Sequence, residues 1–193
     1  MTVMKNKWLL IAVLFPTLCF AQGKNSKGKI TAITSAGFAA GESTAKPLLQ
    51  VTGGFTFDNW FTGVGVGIDN YKYNTIPLFA DWRMNFGKTK LAFFYANGGY
   101  NFPGKYRGED DGMFLKSTDK LFGGFYMDAG VGYKVRLSPL HRILFSTGYS
   151  QKNTKTRVGQ PTYCLVPPCP EQIYNYNYQL GRIVAKISWE IGK

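Results

Sequence analysis

Two clusters in this chain gather side chains from which chemistry could be built. The stretch PTYCLVPPCPEQ (161–172) holds Cys164 and Cys169 around a Pro167-Pro168 pair. GEDDG (108–112) holds Glu109, Asp110 and Asp111 side by side. A thiol redox centre favours two residues between its cysteines, and here there are four. A zinc site needs four ligands, and His141 is the chain's one histidine. Consecutive carboxylates cannot all converge on one calcium ion; a calcium loop alternates them and adds a distant Glu. The acidic cluster therefore reads as a solvated turn. GVGVG (63–67) has the wrong spacing for a phosphate-binding loop and lies within a strand pattern. What the cysteines do depends on the compartment.

The N-terminus answers that. A short basic region with Lys5 and Lys7 precedes the apolar run WLLIAVLFPTLCF (8–20), and Ala21 then precedes Gln22. This is the pattern of a secretory signal peptide, residues 1–21, whose apolar run is too short to span a bilayer as a helix. Leu18 before Cys19 does not suit lipoprotein processing. The expected mature domain is 22–193, with Cys164 and Cys169 as its cysteines. Exported cysteine pairs are generally oxidised, so a Cys164–Cys169 disulfide is expected. The full chain carries a formal charge of +12. In an exported protein this excess favours anionic lipid or polysaccharide over nucleic acid as partner.

The elements that must position these residues show period-two alternation, the mark of half-buried strands. Phe125, Met127, Ala129, Val131, Tyr133, Val135 and Leu137 alternate with Gly124, Tyr126, Asp128, Gly130, Gly132, Lys134 and Arg136. Ile183, Ala185, Ile187, Trp189 and Ile191 alternate with Arg182, Val184, Lys186, Ser188 and Glu190. Ile143, Phe145, Thr147 and Tyr149 form a third such set. Further strands are expected near 29–41, 47–57, 60–69, 76–86 and 89–101, which makes eight. The alternation assigns no faces in 29–41 or in TKLAFFYANGGYNF (89–102).

Short turns at Asp58-Asn59, Gly87-Lys88 and Ser138-Pro139-Leu140 alternate with linkers at 42–46, 70–75, 102–120 and 152–179. Tight turns at one end and long loops at the other are the asymmetry of an up-and-down transmembrane barrel. An even strand number places both termini at the short-turn, periplasmic end.

Alternation alone would also suit a lipocalin-like barrel with an apolar interior. The polar parity decides. Gly63, Gly65 and Gly67 would weaken a water-facing strand, whereas in a narrow lumen they leave room for long side chains. Arg83, Lys134, Arg136, Arg142, Arg182 and Lys186 share that parity with Asp81, Asp128 and Glu190, an expected lumen charge network. Trp60, Phe86, Tyr133 and Trp189 lie beside the short turns, and Tyr71, Tyr73, Phe102 and Tyr149 near the loops. Two aromatic girdles are expected where a barrel meets two membrane interfaces.

On this pattern the chain from about 28 to 193 resembles the small OmpA/OmpX-type eight-stranded outer-membrane barrels of Gram-negative bacteria. The stretch WFTGVGVGIDNYKYNTIPLFADWRMNF (60–86) also resembles a group of poorly characterised outer-membrane barrel proteins. Such chains usually close on an aromatic residue; this sequence ends SWEIGK, where Trp189 and Ile191 keep the alternation. The resemblance implies that a few small barrels modify lipid A through a His, a Ser and an acid. In HRILFS, Ser146 falls on the opposite parity from His141, beside a short turn, so no catalytic set and no enzyme are expected. Eight strands leave a lumen that side chains fill, so a filled interior is expected ahead of a narrow pore.

The last linker carries Tyr163, Tyr174, Tyr176 and Tyr178, with Lys152, Lys155 and Arg157 at its base and prolines at 161, 167, 168 and 170. It is expected to form an extracellular surface for an anionic polymer or a protein. The expected whole is a monomer in contact with outer-membrane lipid and lipopolysaccharide, holding no cofactor or metal.

Overall fold

The computed structural model describes residues 28–41, 44–70, 74–104, 120–161 and 171–192. Among these every regular element is a strand: β1 (Lys29–Ala40), β2 (Ala45–Thr56), β3 (Trp60–Asn70), β4 (Asn74–Phe86), β5 (Ala92–Pro103), β6 (Lys120–Phe122), β7 (Gly124–Arg136), β8 (His141–Pro161) and β9 (Glu171–Gly192). Neighbours pair antiparallel throughout, and β8–β9 together with β1–β9 pairing closes the sheet on itself. β6 and β7 form one stave. Phe122 pairs with Lys155 and Tyr126 with Lys152, so one extra residue sits on the β6–β7 side, a bulge at Gly123-Gly124. The result is the eight-stranded, all-antiparallel barrel expected from the alternation.

Register fixes its shape. Lys29 pairs with Thr56, and the circuit continues through Phe61, Arg83, Tyr95, Gly130, Gly148 and Val184 to Ala39. The circuit thus returns to β1 ten residues from its start, a stagger that tilts the strands against the axis. Closure satisfies backbone groups all round the ring, the condition for crossing a bilayer with strands.

The structure turns the apolar parity outward. Phe38, Leu49, Val64, Ile68, Phe125, Ile183 and Ile187 are exposed, while Asp81, Asp128, Lys186 and Glu190 are buried. β1 and β5 acquire their faces: Thr31, Ile33, Ser35, Phe93, Tyr95, Asn97 and Asn101 point inward, and Ile30, Phe94, Tyr100 and Phe102 outward. Trp60, Phe86, Tyr133 and Trp189 are exposed near the short turns, and Phe86 stacks on Phe94 at 4.5 Å. Tyr71 and Tyr73 lie outside the described residues.

Three expectations need correction. The linker expected over 152–179 is mostly strand: β8 and β9 pair with each other as far as Pro161 and Glu171. Its polar and aromatic residues alternate, but with no apolar parity they did not register as strand. The connections β1–β2 and β3–β4 are as short as the turns at the other end, Gly41 N–H already donating to the Thr44 carbonyl at 3.1 Å. The long connections are therefore only β5–β6 and β8–β9. Finally, the lumen glycines make room mainly for aromatic rings from nearby strands rather than for charged chains from the far wall. A Cβ on Gly65 would lie 2.6 Å from the Phe79 ring, on Gly132 2.3 Å from Phe93, and on Gly148 2.5 Å from the Tyr95 hydroxyl.

This packing predicts that Gly132→Leu destabilises the barrel by roughly 1–3 kcal/mol through overpacking against Phe93. Gly98→Ala, where an added Cβ meets nothing within 4 Å, should be nearly silent. Urea unfolding of protein refolded into lipid, followed by tryptophan fluorescence, measures both.

Candidate functional site

Inside so narrow a barrel an inward charge cannot reach bulk water, and each needs a partner among the other inward chains. Asp128 on β7 is the most connected. It accepts from Lys186 Nζ on β9 at 2.6 Å, from the Tyr95 hydroxyl on β5 at 3.0 Å and from the Tyr126 hydroxyl at 3.3 Å. Gln50 on β2 donates to the Tyr126 oxygen at 2.9 Å and so ties the opposite wall to this hub. Asp81 receives Arg83, two residues along β4, through Nε at 3.0 and 3.1 Å and Nη2 at 2.7 Å.

Towards the short turns, Glu190 pairs with Lys134 at 3.2 Å and with Arg142, its cross-strand neighbour. Towards the other end, Lys152 on β8 pairs with Asp69 on β3 and donates to Thr75 Oγ1 at 3.1 Å. Aromatic faces complete the shells. Lys186 Nζ stands 4.2 Å from the Tyr95 ring centroid, Lys134 5.4 Å from Phe93, and Arg83 5.7 Å from Phe61.

Of the expected network, Asp81, Arg83, Asp128, Lys134, Arg142, Lys186 and Glu190 all enter these pairs. Arg182 is half-buried and donates to the Ala39 carbonyl at 3.1 Å. Arg136 keeps the inward parity but lies at the barrel's end, exposed, donating to the Thr89 carbonyl at 3.3 Å. Its network role is thereby corrected to that of a rim residue. Sequence reasoning missed Thr75 and Lys152, which lay just outside the expected strands, and Asp69, the last residue of its expected strand, which it did not assign to the lumen. Lys152, expected at the base of a loop, is 1% exposed inside the lumen. The continued parity of β8 through Ser150 and Lys152 was the available signal.

Beyond Leu180 the β8–β9 hairpin runs past β1, which ends its pairing at Ala40, while β6 accompanies β8 as far as Arg157. Tyr174, Tyr176 and Tyr178 occupy the β9 parity that faces the lumen further down. Their rings stack as a ladder, with centroids 6.4 and 6.3 Å apart and planes within 24° and 22°. Lys155 and Arg157 take the other parity of β8. Arg157 donates to Asn175 Oδ1 at 3.2 Å and lies 5.9 Å from the Phe122 ring centroid. The basic and aromatic parts of the expected surface therefore stand on opposite faces of the hairpin. Tyr163, Cys164, Cys169 and the Glu109–Asp111 cluster lie outside the described residues. His141 packs on Trp189 at 5.7 Å beside the short turn.

Among solved structures, the outer membrane protein OprG from Pseudomonas aeruginosa matches with a TM-score of 0.58 at 14% identity, covering 87% of this chain and 97% of its own. A de novo designed transmembrane β-barrel matches at 0.45 and 11% identity, covering 89% of this chain and all of its own. Neisserial surface protein A matches at 0.39 and 14% identity, covering 83% of this chain and 95% of its own. No family model matches the chain, and no curated protein does. The likeness to OprG is one of fold: the chain forms a closed, eight-stranded, all-antiparallel barrel.

Removing the hub carboxylate should be costly. Asp128→Ala leaves Lys186 buried beside two hydroxyls without their acceptor, a loss of about 3–5 kcal/mol. Arg136→Ala at the rim should stay within about 0.5 kcal/mol. Paired unfolding midpoints in one detergent separate the two, and equal midpoints would place Asp128 in water.

Proposed function

We propose that this protein resides in the outer membrane as a non-enzymatic, non-conducting monomeric barrel that holds a binding surface beyond the bilayer. The uncharged outward belt supports the membrane reading, and the crowded, paired lumen supports the absence of conduction. The termini and short turns face the periplasm in this reading, and the β8–β9 hairpin faces outside. One observation carries the functional part: the Tyr174–Tyr176–Tyr178 ladder on paired strands above the barrel. Tyrosine gives contact area at small entropic cost and keeps a polar tip. Strand pairing orders its backbone before any partner arrives, so less ordering opposes binding. The ladder suits an extended partner, a polymer or protein segment, lying along the rings. Lys155 and Arg157, on the other face, are placed for anionic lipopolysaccharide groups at the membrane surface.

A narrow pore is the second reading, favoured by one specific observation. Asn101 is fully buried with both amide atoms unpartnered, and Asn97 Oδ1 is unpartnered below it. Buried amides of this kind are commonly satisfied by water, and a file of waters is the start of a conduit.

Two measurements test the proposal. Cells displaying the protein should adhere to protein- or polysaccharide-coated surfaces, and the triple change Tyr174→Ala, Tyr176→Ala, Tyr178→Ala should weaken adhesion about ten-fold or more. Unchanged adhesion with normal surface expression would remove the ladder's role. In planar bilayers the purified protein should give no stepped conductance; discrete steps would favour the pore.

A further inference from the structure

At the short-turn end, β7 runs past the start of β5, and the β4–β5 turn folds beside it. Between them lies a groove of about 530 Å³. Lys88 and Lys90 line it from the turn side, and Tyr133, Lys134, Val135 and Arg136 from the end of β7. No carboxylate lines it. Arg136 is drawn across the groove by its contact with the Thr89 carbonyl. Lys90 meets Asp58 at 3.2 Å, but both side chains are substantially exposed, so that pair is weak. Lys90 also holds φ at 55°, a left-handed conformation uncommon for a long side chain.

The wall residues decide what kind of anion fits. Tyr133 and Val135 belong to the outward apolar parity, 52% and 38% exposed, and they continue the belt formed by Val131, Met127 and Phe125. The groove therefore joins a cationic rim to a lipid-facing wall. A soluble anion would use only the first of these. An anionic glycerophospholipid uses both, with its phosphate between Lys88, Lys90 and Arg136 and its acyl chains down Tyr133 and Val135. Basic residues at a membrane surface draw such headgroups electrostatically, and an amphipathic ring at headgroup level suits Tyr133.

We propose that this groove is a binding site for an anionic glycerophospholipid of the leaflet at the termini end. The inference rests on the membrane reading above, and its test separates the two. Full-length protein is reconstituted into vesicles of phosphatidylcholine with a small fraction of phosphatidylglycerol, then released for native mass spectrometry. Preferential retention of phosphatidylglycerol, roughly ten-fold or more over phosphatidylcholine, is expected. It should be lost in the Lys88→Gln, Lys90→Gln double variant and kept in Lys46→Gln, a cation near the start of β2 at the barrel's other end. Glycerol 3-phosphate added at the lipid's concentration should not displace the lipid.

Equal retention of the two lipids by inserted protein would overturn the site, as would a preference surviving the double variant. Displacement by glycerol 3-phosphate on equal terms would overturn the lipid assignment in favour of a free phosphate. Failure to enter vesicles would instead count against the membrane reading. Heat-modified gel mobility of each variant shows that it is folded.

Discussion

The structure depends on the electrostatics of a space too narrow for bulk water. Once eight strands close on each other, half of the side chains are turned into that space, and a charge among them is tolerable only if paired. Asp128 shows how this is met: one ammonium, two phenol hydroxyls and, through Tyr126, an amide from the opposite wall converge on one carboxylate. These contacts join β2, β5, β7 and β9, of which β5 and β7 alone are ladder neighbours. The lumen thus braces the ring from within, while the ladders hold it round the circumference. Most apolar residues face outward, and those inside, such as Phe93, Tyr95 and Leu144 or Ala39, Leu48 and Val184, form small clusters among the polar groups in place of one oily core.

Small and large residues alternate across the strands for the same reason. Phe79 covers Gly65 and Phe93 covers Gly132, each ring lying over its cross-strand neighbour. The rings then offer π-faces to the cations: Lys134 and Arg83 both approach Phe93. Glycine, aromatic ring and cation form stacked layers in which each choice requires the next. A side chain at Gly132 would displace Phe93 and with it a face that two cations use.

Much of this was legible in sequence where alternation was chemically sharp. On β7 and the second half of β9 one parity is unbroken apolar and the other carries the charges, and Asp128, Lys134, Lys186 and Glu190 fell on the inward parity. On β5 the alternation sets Phe93 and Tyr95 against Phe94, and aromatic residues serve both lumen and lipid, so hydropathy alone could not tell the faces apart. Asp69, the last residue of its expected strand, was not assigned a face, and Thr75 and Lys152 escaped for another reason. They lie where strands continue past the apolar belt, and a strand with polar residues on both faces looks like a loop. The same blindness hid the outer halves of β8 and β9.

That extension changes what the tyrosines can do. In a loop, four tyrosines and two cations could gather into one surface; on paired strands, parity separates them. Even positions on β9 carry Tyr174, Tyr176 and Tyr178, whereas Lys155 and Arg157 sit on the β8 parity that faces outward lower down. One face of the hairpin is thus continuous with the lumen and the other with the barrel's apolar outer wall. The barrel's inside–outside rule is carried beyond the closed ring, aromatic on the lumen parity and basic on the outer one. The arrangement of side chains at this end follows from the same period of two that built the wall.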